Sequence, residues 1–227
     1  MRLSRLERAL RWLAVALVCA ATGAALAGPR EDLFSAVRRD DGRTILTLLL
    51  RGLDPNTPDE AGRSALSLAM ANDALDAAKA LLASPELKVD LRNAQDESPL
   101  MLAALRGQTD LVRLLIKRGA DVNKTGWTPL HYACTGTTDH QLDIVKILLD
   151  ENAYIDAESP NGSTPLMMAA MYGKTEVARL LLEEGADPTL ANQKKLTAID
   201  FAQRASRPEL VELISAAVRK RQPRGSW

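Results

Sequence analysis

Thr128-Pro-Leu-His-Tyr-Ala-Cys134 opens the stretch that decides the fold. Asp143-Ile-Val-Lys-Ile-Leu-Leu149 follows after a polar gap, and Asn152-Ala-Tyr154 closes the unit. Thr128 can cap a helix N-terminus, and Pro129 is tolerated in the first turn, where no hydrogen bond is lost. The small pair Ala133-Cys134 lets a second helix approach closely. The apolar run carries its residues at helical spacing, so it reads as a second helix buried along one stripe. Asn152 stands where the chain needs a left-handed residue to stop that helix. One unit therefore reads helix, turn, helix, β-turn.

The same pattern returns on both sides. Ser64-Ala-Leu-Ser67, Ser98-Pro-Leu-Met101, Thr164-Pro-Leu-Met167 and Thr197-Ala-Ile-Asp200 align with the Thr128 motif, at spacings of 34, 30, 36 and 33. Small pairs recur at Ala103-Ala104 and Ala169-Ala170. Apolar runs recur at Asp110-Leu-Val-Arg-Leu-Leu-Ile116 and Glu176-Val-Ala-Arg-Leu-Leu-Leu182, closed by Gly119-Ala-Asp121 and Gly185-Ala-Asp187. Self-similarity at such a period marks stacked repeats. The units resemble the ankyrin repeat, whose mark is T-P-L-H-x-A at a period of about 33. Thr128-Pro-Leu-His-Tyr-Ala133 matches that pattern at every specified position. The stretch Asp32 to Asn56, with Gly52-Leu-Asp54, looks like a degenerate first repeat, as expected of a capping unit.

The expectation is an all-α ankyrin-repeat solenoid of about six helix-turn-helix units joined by β-hairpin turns. The repeat domain covers residues 28–217, with units near 31–58, 59–93, 94–123, 124–158, 159–192 and 193–217. A frayed basic tail at 218–227 follows. The hairpin at Asn123-Lys-Thr-Gly126 is about three residues short and should be stubby. Thr135-Gly-Thr-Thr-Asp-His140 adds three residues between two helices, and Pro85 should end its helix early. A single repeat keeps the His, so the interrepeat hydrogen bonds that the family draws from that position should be weaker here.

The chain has 227 residues, with 29 basic and 29 acidic side chains and 4% aromatics. Zero net charge gives no support for bulk attraction to nucleic acid. Few aromatics mean a core of Leu, Ala, Val and Ile, which favours packed helices. Residues 1–27 read as a signal peptide. Arg2, Arg5, Arg8 and Arg11 precede an uncharged run from Trp12 to Pro29, and Ala25-Leu-Ala27 fits a cleavage site. The expected location is therefore periplasmic. The alternative is an uncleaved inner-membrane anchor facing the periplasm, because the arginines stay in the cytoplasm either way. Membrane contact is expected through this segment only. Cleavage after Ala27 leaves 25 basic and 28 acidic residues, with Cys134 as the one cysteine, expected buried.

Little points to catalysis. His131 occupies the repeat's own structural position. His140 lies beside Asp139 near Cys134 and suggests a metal site, but His131 and Cys134 fall on packing positions. Asp121, Asp156 and Asp187 recur because the repeat recurs. No phosphate loop, nucleophile elbow or HExxH is present. No catalytic residue, metal, cofactor or small-molecule substrate is expected.

The stack offers surface instead. In the ankyrin family the concave face is made by hairpin tips and the exposed side of the first helix. The resemblance puts partner-binding positions at Glu60, Arg63, Ala71 and Asn72, then at Gln95, Glu97, Leu105 and Arg106. Trp127 and Thr135 follow, then Asn161, Ser163, Met171 and Tyr172, and last Lys194. Leu105, Trp127, Met171 and Tyr172 form a candidate apolar patch, and aromatics and Arg are what interface anchors are made of. Its alternative is that Trp127 folds onto its own hairpin and Met171 tucks between helices. The expected function is a non-enzymatic module that binds a folded protein. Exported bacterial ankyrin proteins of this layout are partners of periplasmic enzymes, including catalases, or immunity proteins that block toxins. Tethering to the envelope through the basic tail is a further alternative.

Overall fold

The computed structural model describes residues 28–221. The expected signal peptide at 1–27 and residues 222–227 lie outside the described residues. Helices pair along the chain. The first two are α1 (28–38) and α2 (Gly42–Leu50), then α3 (Ala65–Ala71) and α4 (Leu75–Leu82). Next come α5 (Pro99–Arg106) with α6 (Thr109–Lys117), and α7 (Pro129–Thr135) with α8 (Gln141–Asp150). The last are α9 (Pro165–Met171) with α10 (Thr175–Glu183), and α11 (Ala198–Arg204) with α12 (Pro208–Arg221). Among the described residues no helix is long and apolar enough to cross a membrane.

Local chemistry sets each boundary. The side chains of Ser64, Ser98, Thr128 and Thr164 accept from the backbone N–H three residues on. Such a cap contributes about 1 kcal/mol. Thr197 reverses the roles: its N–H and hydroxyl both donate to the Asp200 carboxylate. Outer helices stop at left-handed residues, Gly119 (φ 84°) and Asn152 (φ 63°) among them. α4 ends at Leu82, ahead of Pro85.

The first helix of each unit forms an inner row, with α3, α5, α7, α9 and α11 side by side. Ala69, Ala103, Ala133, Ala169 and Ala202 have no exposure, which permits that approach. Outer helices from α4 onward pack more loosely against one another, so the rod bends towards its inner row. One apolar core runs the length of the stack, and burial of its Leu, Ile and Val side chains, about 1.5–3 kcal/mol each, dominates stability.

Polar contacts stitch unit to unit. Asn56, Asp90, Asn123 and Asp156 each accept from a backbone N–H of the next unit, on Lys88, Asp121, Tyr154 and Asp187. At the inner-helix ends, Gln141 Nε2 donates to Ala104 O and Leu105 O, both at 3.1 Å. Arg207 donates to Ala169 O (3.1 Å), Gly173 O (2.6 Å) and Thr175 Oγ1 (3.1 Å).

One expectation needs correction, and two others gain detail. Residues 218–221 are not a frayed tail, because α12 runs through Arg221, whose guanidinium donates to Gly185 O (2.7 Å) and pairs with Asp187 (3.2 Å). The hairpins at 59–63, 93–97, 159–163 and 192–196 each close with a backbone N–H donating to a carbonyl. The short hairpin is held otherwise: Lys124, 4% exposed, donates to Thr125 O and pairs with Asp96 of the previous tip. His131 reaches across to Ser163 O of the next unit at 2.9 Å, whereas Ser67, at the same position of the second unit, donates to Leu91 O of its own unit at 3.3 Å.

Candidate functional site

The outer face alternates in sign. Asp76, Asp110, Asp143 and Glu176 stand exposed in the first turns of α4, α6, α8 and α10, where they complement the helix dipole. Lys79, Arg113, Lys146 and Arg179 follow one turn later, also exposed. Such alternation is a solvated surface.

The inner face differs. Arg63, Asn72, Gln95, Arg106, Asn161 and Tyr172 are exposed, as are Glu60 and Lys194. Glu97, Leu105, Trp127, Thr135 and Met171 are half-buried, with Ala71. Several are already engaged. Arg63 pairs with Asp59 at 2.8 Å, and Arg106 donates to Ala71 O at 2.8 Å. Glu97 accepts from Tyr132 OH at 2.8 Å, tying two units together. Thr135 Oγ1 donates to His131 O at 2.8 Å. Asn161 braces its own turn, accepting from Ser159 Oγ at 2.7 Å.

Ser163 is not a surface residue. It has no exposure: its N–H donates to Ser159 Oγ, its hydroxyl accepts from Asn192, and its carbonyl meets His131 Nε2 at 2.9 Å. The four apolar candidates also do not form one patch. Trp127 precedes α7 at the hairpin end, where it packs edge-on against His131 with ring centroids 5.3 Å apart. Leu105, Met171 and Tyr172 sit at the opposite ends of inner helices, about 10 Å away along a seven-residue helix. Tyr172 is 54% exposed and is the anchor-type aromatic of that second group.

The titratable groups serve structure. Burial pushes the Cys134 thiol well above its ordinary range. Burial, then the hydrogen bond to Glu97, pushes the Tyr132 phenol up. Burial holds His131 below its ordinary value. Its Nδ1 accepts from the Thr128 N–H at 3.2 Å, leaving Nε2–H to donate to Ser163 O. Among the described residues, no three His, Cys, Asp or Glu side chains converge in a way that would hold a metal ion. Sequence reasoning missed Gln141 and Arg207, although a polar residue recurs at the start of α6, α8, α10 and α12, at Gln108, Gln141, Lys174 and Arg207.

Stacked two-helix units, hairpin tips and a polar-apolar inner face define a repeat protein of the kind that presents an extended surface. The family model for ankyrin repeats (3 copies) matches at residues 33–125, 86–159 and 138–222, and the chain belongs to the ankyrin-repeat family. An ankyrin repeat and KH domain-containing protein of Caenorhabditis briggsae is 37% identical over 123 residues, 52% of this chain and 5% of that protein. The B-cell lymphoma 3 protein homolog of Mus musculus is 31% identical over 65% of this chain and 34% of its own length. The ankyrin repeat protein YahD of Escherichia coli (strain K12) is 29% identical over 82% of this chain and 95% of its own. Among solved structures, the human ASB11 ankyrin repeat domain matches with a TM-score of 0.72 and 27% identity, covering 82% of each chain. An ankyrin repeat domain from Acinetobacter baumannii AYE gives 0.70 and 26%, covering 82% of this chain and 97% of its own. Ankyrin repeats make this chain a protein–protein interaction module.

Proposed function

We propose that the protein is an exported, non-enzymatic module that works in the periplasm and grips a folded protein with its inner face. The observation that carries this reading is the contrast between faces. The outer helices of units 2 to 5 order their charges for water, whereas Leu105, Met171 and the exposed Tyr172 break the polar pattern of the inner side. Export rests on the basic, then uncharged, leader-like residues 1–27. A periplasmic enzyme such as a catalase is the favoured class of partner. The mechanism is steric: a preformed surface covers the partner with little ordering entropy to lose.

Crosslinking pull-down of the tagged chain from periplasmic extract tests it, with Leu105→Ala/Tyr172→Ala as the variant. One stoichiometric partner should appear with the wild-type chain and vanish with the variant, while circular dichroism stays unchanged. Recovery of a toxin in place of an enzyme would assign an immunity role instead. Retention of the partner by the variant rejects the inner face. N-terminal sequencing of the secreted form should begin at Gly28, and a chain found only in the cytoplasm rejects export.

A further inference from the structure

The repeats supply their own control for the outer face. Lys79, Arg113, Lys146 and Arg179 share one register of α4, α6, α8 and α10. Aligning Gly52 with Gly119 puts Leu46 in that register of α2, and Leu46 is 42% exposed. One turn on, where α6, α8 and α10 carry Lys117, Asp150 and Glu183, stands Leu50, 88% exposed. Two adjacent leucines replace charges that α6, α8 and α10 keep at both places. Exposure of that kind costs solubility unless something covers it.

The surroundings of the pair say what covers it. α2 presses unusually close to α4: a Cβ on Gly42 would sit 2.7 Å from the Asp76 carbonyl oxygen. The two helices flank an open groove of about 490 Å³ with Leu46, Ala80 and Ala83 along it. Asp40, Asp41 and Asp76 gather at the end where α2 begins, offset in part by Arg43, by Arg39 beside Asp41 and, one turn along α4, by Lys79. Exposed Arg51 follows the other end of α2, and beyond the end of α4 Arg118 donates to Ser84 O at 2.8 Å. The ridge thus carries its carboxylates at one end, Leu46 and Leu50 with Lys79 across the groove in the middle, and Arg51 at the other end. An element with that polarity is complementary to itself when turned end for end, and it lacks the uniform positive charge that an anionic lipid surface selects.

We propose that this ridge is the contact of a two-fold symmetric dimer, with a second copy of the chain as its occupant. The two α2 helices lie antiparallel. The acidic end of one meets Arg51 of the other, and Leu46 and Leu50 of both copies are buried between them. Helix α2 and the α4 edge would bury on the order of 1,000 Å², the lower end of specific interfaces. The inner faces point away from the contact, so a dimer presents two partner-binding surfaces.

The axis falls near Thr47, which is exposed. The full chain carrying Thr47→Cys, expressed and oxidised in cells, should give a disulfide-linked dimer on a non-reducing gel. Thr137→Cys, on an exposed residue far along the rod, should not. Sedimentation velocity from about 1 to 200 μM should show wild-type dimerisation that rises with concentration. Leu46→Lys/Leu50→Lys copies the charges of α6 and therefore keeps the fold, checked by circular dichroism. It should raise the dissociation constant about a hundredfold or more. A wild-type chain that stays monomeric throughout, a lysine variant that dimerises unchanged, or no crosslink at Thr47→Cys overturns the proposal. Flotation of a monomeric wild-type chain with phosphatidylglycerol vesicles, lost in the lysine variant, would assign the ridge to a membrane instead.

Discussion

Four equivalent side chains bridge successive units, and they are not equally good at it. Asn123 accepts from the Tyr154 N–H at 2.8 Å and donates to Asn152 O at 2.8 Å. Asn56 likewise makes both bonds, to Lys88 N and Glu86 O. Asp90 accepts from the Asp121 N–H at 3.2 Å but, once ionised, has nothing to donate to the equivalent carbonyl of Gly119. Burial pushes its carboxyl pKa up, and the Asp121 charge adds to that, against the opposing pull of the Asp121 N–H. Asp90→Asn should therefore stabilise the protein. The new amide bond contributes about 0.5–1.5 kcal/mol, and removal of a half-buried charge adds a few tenths. The gain of about 1–1.5 kcal/mol at neutral pH corresponds to about 2–6 °C in melting midpoint for a domain of this size. The sign with pH is fixed. The folded pKa lies above the unfolded value near 3.9, so the folded chain binds the proton more tightly, and the wild-type penalty appears as pH rises through that range. Urea denaturation at pH 7, 5.5 and 3.5 should show an advantage for Asp90→Asn that is largest at pH 7 and narrows in acid. A neutral or destabilised variant at pH 7, or an advantage that widens in acid, refutes the reasoning.

Other outcomes follow from the same contacts. Arg207→Met should leave Ala170 O and Gly173 O without their donor, cost about 2–3 kcal/mol, and lower amide protection in α11 and α12 while sparing α5 to α8, read by hydrogen exchange. His131 is held below its ordinary pKa, so the stability it contributes is present above about pH 6.5 and is lost as pH falls below that; thermal melts of His131→Gln should lack this loss between pH 7 and 5. Gly173→Ala would drive its Cβ into the Cys134 carbonyl and the Ala169 Cα, both backbone, and should cost about 2 kcal/mol or more in chemical denaturation. Trp127→Ala, which removes packing against His131 and the core, should cost about 2 kcal/mol, whereas Tyr172→Ala should stay within about 0.5 kcal/mol, both by urea titration.

Much of this architecture was written in local signals. Ser64, Ser98, Thr128 and Thr164 cap helices because a hydroxyl three residues before a free N–H is a local geometry. Gly119 and Asn152 stop helices because a left-handed φ selects those residue types. Cys134 is buried because it stands in the small-residue row. What stayed hidden lies between units. Gln141 and Arg207 find their carbonyls 34 to 38 residues back, and no motif inside one unit announces the target. Ser163 follows the same rule: its tip position suggests exposure, yet His131 of the previous unit comes to rest on its carbonyl. Residue type groups Trp127 with Tyr172, although a whole inner helix separates the two levels at which they sit.

The placement of the stitching explains how a rod of small units can present a firm surface. Each unit touches only its neighbours, so rigidity must be rebuilt at every joint. Outer loops are joined by the Asn and Asp ladder, and inner-helix ends by Gln141 and Arg207. The hairpin row is joined by Lys124 reaching Asp96 and by His131 reaching Ser163 O. Residues of the inner face therefore sit on backbone that is fixed from both sides. Arg106, Glu97 and Thr135 spend their polar groups within the fold and set its shape, whereas Asn72 and Tyr172 stand exposed beside them. A partner meeting such a face loses little to ordering, and specificity then depends on which side chains remain free at the joints, not on motion of the backbone.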